Sequence, residues 1–160
     1  MILTTADSPF ARPLTDNSVS MSADTRLRLV GSSLQRGKAG ISRVVVEFAR
    51  PGADAPLVGQ QEGTACPGGD LRLAALATFA VLREAVQGAM EFDLIGVKPV
   101  RAFDTTVMMV AATVRQDGRA TKVVGAAIVE DNEVDATVRA TLHAVNRLVS
   151  PILGPLPASD

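Results

Sequence analysis

The sequence predicts an α+β fold: a two-layer sandwich of duplicated β-β-β-α units, with mostly antiparallel sheet and two helices. Two observations predict it. Three strand-like runs followed by a helix-like stretch occur twice in succession, so that each half exposes an apolar face its twin can cover. Gly and Pro clusters, and one Asp-Gly pair, fall between the runs where antiparallel neighbours must reverse. The expected organisation is a disordered tail over residues 1–24, one domain over 25–150 divided into repeats 25–90 and 92–150, and a C-terminal tail over 151–160.

In the first repeat, Arg26-Leu27-Arg28-Leu29 alternates charged with apolar side chains, the period of a half-buried strand. Gln35 to Gly40 supplies turn chemistry, and Ile41 to Ala49 then puts Val44, Val46 and Phe48 on one face with Arg43 and Glu47 on the other. After a reversal at Pro51-Gly52, Leu57 to Glu62 forms a shorter third strand. The stretch from Asp70 to about Met90 is rich in Leu and Ala and predicts the first helix, with Asp70 as the N-cap. Its apolar surface is wider than one stripe, which predicts cover on more than one side.

The second repeat opens with Phe92 to Arg101, where Pro99 must sit at an edge or a bulge because it has no N–H for a ladder. Thr105 to Arg115 follows as a strand apolar on both faces, and the Asp117-Gly118 hairpin returns the chain as Arg119 to Val129. Glu130-Asp131-Asn132 opens the second helix, whose Val134, Val138, Leu142, Val145 and Val149 recur at helical spacing until Pro151 stops it. Both faces of the strand around Met108, Met109 and Val110 require cover, so a homodimer is expected.

Composition narrows the function classes. The charges nearly cancel, at net -1, and give no bulk field toward a phosphate backbone or an anionic membrane. Trp and Tyr are absent and five Phe occur, so platforms for stacking bases are scarce. No apolar run approaches the roughly 18 residues of a spanning helix, and the first residues lack the apolar core of a secretory signal. A single cysteine, Cys66, rules out an internal disulfide and points to the cytoplasm. Gly31 to Lys38 imitates a phosphate loop but fails, because a strand follows it and Ala39 stands where a Ser or Thr is needed. The carboxylates around Asp131 have no His or Cys companion, so neither a metal nor a cofactor is expected.

The stretch Val134 to Leu148 resembles the last helix of the C-terminal regulatory domain of alpha-isopropylmalate synthase. Ala136, Ala140 and Ala144 stand at four-residue spacing and lead into the pair Asn146-Arg147, as in that family. The resemblance covers about residues 25 to 150 by architecture, and a far shorter segment by motif. It implies a doubled three-strand-plus-helix unit that dimerises and binds a feedback amino acid, here without the catalytic barrel that precedes it in the synthases. Two departures stand out. Where the family has a Gly-x-Gly turn before the last helix, Gly125-Ala126-Ala127 keeps one glycine, and Thr141 replaces a frequent Tyr.

The candidate ligand site follows from helix physics. Open amides and the macrodipole make helix N-termini receptive to carboxylates, and two such ends lie at related places in the repeats. The candidate binding residues are Gly68, Gly69 and Asp70 at the first, and Gly125, Ala127, Asp131 and Asn132 at the second. The expected function is a non-catalytic regulatory or ligand-binding dimerisation module, sensing a small amino or keto acid or modulating a separate partner enzyme. Plain capping by Asp70 and Asn132 is the structural alternative at the same residues. Cys66 reads as a passive thiol. Arg139, His143 and Arg147 form a basic stripe opposite the valines, a solvated face or else an RNA contact, and an assembly protein of purely structural role is the other rival.

Overall fold

The structure, a computed structural model, describes residues 26–153. The expected N-terminal tail over 1–24 and the residues from 154 onward lie outside the described residues. Within them the element order is β1 (Arg28–Arg36), β2 (Ile41–Ala49), β3 (Leu57–Thr64), α1 (Gly69–Ala85), β4 (Glu91–Ala102), β5 (Thr105–Gln116), β6 (Arg119–Ile128) and α2 (Glu133–Val149). Each repeat forms its own three-stranded sheet, ordered β1-β2-β3 and β4-β5-β6, and every pairing is antiparallel. Helix α1 packs on β2 and β3, and α2 on β5 and β6. The helices also touch each other, and each reaches the first strand of the other repeat, α1 to β4 and α2 to β1. The duplicated β-β-β-α sandwich is therefore the architecture.

The core follows the alternation in the sequence. Val44, Val46 and Phe48 are fully buried, as their shared face requires, and so are Met108, Val110 and Ala112 on β5. Phe79 of α1 stacks on Phe92 of β4 with ring centroids 5.3 Å apart, which ties one repeat's helix to the other's first strand. Small residues set the helix-to-sheet distance. Gly59 in β3 faces the backbone of α1, where an added Cβ would lie 2.2 Å from the Ala77 carbonyl oxygen. Gly125 in β6 faces α2 in the same way, 2.1 Å from the Ala140 carbonyl oxygen. Both repeats use a third-strand glycine for close helix packing.

Four expectations change. Strand β1 runs to Arg36, well beyond Leu29, because Leu29, Ser32 and Leu34 continue the inward face across a bulge between Leu29 and Gly31 that disguises the alternation. Helix α1 stops at Ala85 instead of near Met90. Gln87 at φ 53° and Gly88 at φ 76° close it, the Gln87 and Gly88 amides donating to the Glu84 and Arg83 carbonyls in a Schellman arrangement. The residues beyond turn back so that Val86 and Met90 enter the core. Asp70 does not cap α1: Gly68, in the left-handed region at φ 74°, holds that place and offers no side chain. Finally, the packed body passes residue 150, since Leu153 is buried and Ile152 lies against the core.

The remaining signals hold. Pro99 lies on β4, an edge strand, opposite Met108. Asp117 at φ 51° and Gly118 at φ 74° form the two-residue β5–β6 turn. Asn132 caps α2, its side-chain oxygen accepting from the Asp135 amide at 2.7 Å. No helix among the described residues is long and apolar enough to cross a membrane.

Candidate functional site

The two helix N-termini come together. Between them lies an open groove of about 710 Å³, floored by the end of β1 and walled by the segment entering α1 on one side and the first turn of α2 on the other. Leu34 and Arg36 come from β1, Cys66 to Gly68 and Asp70 from the α1 entry, and Asn132 to Val134 from α2. The pseudo-symmetry produces this. Helices that each follow a third strand and pack side by side bring their equivalent ends to one place.

The two ends are not equivalent electrostatically. At α2 the Asn132 side chain occupies one of the open first-turn amides, and Glu133 and Asp135 place negative charge in the first turn. At α1 no side chain caps, so the amides of Asp70 and Leu71 keep no side-chain acceptor. Gly69 donates to the Cys66 carbonyl at 2.8 Å. Arg36 reaches across 34 residues of sequence to pair with Asp70 at 3.1 Å through one carboxylate oxygen, Oδ2. The other oxygen, Oδ1, is buried and has no hydrogen-bond partner among the described residues. The groove is thus lined by a guanidinium, an uncapped helix end and the Glu133 carboxylate, with Asp70 Oδ1 buried beneath its surface.

Of the predicted site residues, Gly68, Asp70 and Asn132 line the groove. Gly69 stands behind it, where an added Cβ would meet the Cys66 sulfur at 2.6 Å, so its lack of a side chain makes room for the thiol. Asp131 is exposed beside the groove and does not line it. Gly125 and Ala127 lie elsewhere. Gly125 is inside β6, not in a turn, and is filled by the α2 backbone, while Ala127 packs against the cluster of Met108, Val110, Ala136 and Ala140. The glycine that the family likeness puts near a ligand is consumed here by helix packing.

Sequence reasoning missed Arg36. It sits in a Gly- and Ser-rich segment that reads as a turn, and nothing local announces an ion pair with a residue in another element. Cys66, read as passive, is exposed and lines the groove. The stripe on α2 is only partly free. Arg139 pairs with Asp135 at 2.8 Å, which together with that carboxylate's charge raises its pKa above the usual arginine value. His143 accepts from the Ala126 amide through Nδ1 at 3.1 Å, so its imidazole closes part of the free edge of β6. Arg147 stays exposed.

The chain matches no protein-family model and no curated protein sequence. The likeness to the synthase regulatory domain therefore stands on the α2 motif and on the doubled architecture alone.

Proposed function

We propose that the protein is a non-catalytic ligand-binding and dimerisation module, similar to the regulatory domain of alpha-isopropylmalate synthase, that senses a small amino or keto acid or modulates a separate partner enzyme in the cytoplasm. The observation that carries this reading is the convergence of both helix N-termini on one groove in which Arg36, Asp70 and the uncapped end of α1 meet. A ligand carboxylate fits beside the Arg36 guanidinium and the open amides of Asp70 and Leu71. An ammonium group fits the Glu133 carboxylate, which favours an amino acid over a keto acid within the same site. Leu34, Leu71 and Val134 at the groove give a small aliphatic side chain an apolar wall. The only histidine is engaged at the β6 edge, away from these groups, which supports binding over acid-base chemistry.

The experiment is a thermal-shift and calorimetric screen of the full chain against the aliphatic amino acids and their 2-keto counterparts. A concentration-dependent rise in melting temperature with an amino acid, lost in the Arg36→Gln variant, is the expected result. Absence of any shift across the panel refutes the sensor reading.

A further inference from the structure

The outer faces of the two sheets, equivalent by the repeat, differ in composition. On the first sheet the outward rows carry Gln35, Arg43 and Glu62, with Arg43 and Glu62 in an ion pair, and Ser33, Gln60 and Glu47 around Val45. The exposed apolar side chains of that face stand apart, Val30 at the bulge, Ile41 opposite Thr64 and Val58 opposite Glu47, with polar and charged residues in the rows between them. On the second sheet the equivalent rows run Gly96, Ala111 and Val124, with Ile95 in the bulge beside Gly96, then Lys98, Met109 and Ala126, then Val100, Val107 and Ile128. Ile95 is 54% exposed, Met109 39%, Val124 60% and Ile128 56%, so four large apolar side chains share one surface. A contiguous exposed apolar patch of this kind marks a contact surface.

We propose that this face docks a second copy of the chain, face to face, about a two-fold axis running along β5. The proposal rests on the dimerisation part of the function above and names the surface that performs it. Three observations select a second copy. A rotation about β5 lays β4 of each copy over β6 of the other, so the bulge of Ile95 and Gly96 meets Val124, Val100 meets Ile128, and the central Met109 and Ala111 meet their own equivalents. The same rotation puts Asp93, which pairs with Arg115 within its own sheet at 3.1 Å through Oδ2, opposite Lys122 of the second copy, and the reverse, in the row next to the apolar ones. Lys122 has no ion-pair partner among the described residues, so in the dimer each copy's Lys122 would gain one carboxylate. Lys98 belongs to an edge strand, where its stem can lie along apolar neighbours with its ammonium in water.

Size agrees with this. With β5 twelve residues long, at about 3.4 Å per residue and about 4.8 Å between strands, the face spans on the order of 550 Å² in projection. Its corrugated accessible area is larger and approaches the roughly 800 Å² per partner of a standard interface. Extension of the sheet edge to edge is obstructed instead. Pro99 and the bulge between Leu94 and Gly96 interrupt β4, and His143 takes an outward amide of β6.

The test is sedimentation velocity and native mass spectrometry of the full chain at micromolar concentration, on wild type, Val124→Lys, Lys122→Glu and the double variant Asp93→Lys/Lys122→Glu. Circular dichroism confirms that the exposed substitutions leave the fold intact. A wild-type dimer is expected, with Val124→Lys raising the dissociation constant by about 30-fold or more, as for a central interface residue. Lys122→Glu should weaken the dimer by placing like charges together, and the double variant should recover part of that loss. A monomeric wild type, which would leave the patch to a different partner, overturns the proposal. So does a dimer indifferent to Val124→Lys, or one in which the charge exchange restores nothing. Ligand-induced thermal shifts measured on the Val124→Lys protein separate this result from the groove, since they depend on Arg36 and not on the sheet face.

Discussion

Replacing Gly125 with alanine tests how the second repeat is packed. A Cβ at this position would lie 2.1 Å from the Ala140 carbonyl oxygen and 2.4 Å from the Ala144 nitrogen, against the 3.4 Å at which ordinary contact begins. Both obstacles are backbone, so no rotamer change relieves them and α2 must withdraw by roughly 1 Å. A gap of that size forfeits about a quarter to a half of each dispersion contact across it. Helix α2 buries Val134, Ala136, Thr137, Val138, Ala140, Thr141, Val145 and Val149, so the cost should fall at the upper end of the usual overpacking range, about 3 kcal/mol. For a domain of this size that lowers the melting temperature by about 10 °C. Gly31→Ala, with no atom within 4 Å of the added carbon, serves as the control and should leave the melting temperature level or slightly raised. Calorimetric melts of the two variants decide the matter. A Gly125→Ala protein melting within about 2 °C of wild type would refute the claim that close helix approach sets this layer spacing.

The same reasoning applies to the first repeat, where Gly59→Ala meets the Ala77 carbonyl oxygen at 2.2 Å and should destabilise comparably by the same melt. Asn132→Ala removes the cap bond to the Asp135 amide and should cost about 1 kcal/mol in urea titration, whereas Asp70→Ala, which removes no cap, should cost less. The β4–β5 turn holds Phe103 at φ 52° and Asp104 at φ 56°, with Phe103 97% exposed. The double substitution Phe103→Asn/Asp104→Gly, which puts residues suited to positive φ at both places, should stabilise by about 1 kcal/mol, and a lower melting temperature would contradict the strain argument. Arg36 is 72% exposed, so its pair with Asp70 contributes little to folding. Arg36→Gln should therefore melt within about 2 °C of wild type while losing ligand-induced stabilisation.

Local pattern made most of the elements legible. Alternation placed β2, a strand-length apolar run placed β5, the Asp117-Gly118 hairpin placed β6 as its partner, and Glu130-Asp131-Asn132 marked the start of α2. Where local pattern was weak, boundaries moved: the bulge hid the length of β1, and Val86 and Met90 read as helix because apolar residues after a helix look the same whether the chain continues or turns back. Three of the seven candidate site residues line the groove. Gly68, Asp70 and Asn132 were found because helix starts carry their own chemistry, while Arg36 was not, since its partner is 34 residues away.

The sequence by itself determined the repeat, the strand and helix order and the residues that face the core, because hydrophobic period and turn chemistry act over a few neighbours. Only the tertiary structure decided that Gly125 serves helix packing and that the two helix ends share one groove with Arg36. Those outcomes depend on distances between elements remote in the chain, which close packing of the two repeats fixes and no short stretch of residues encodes.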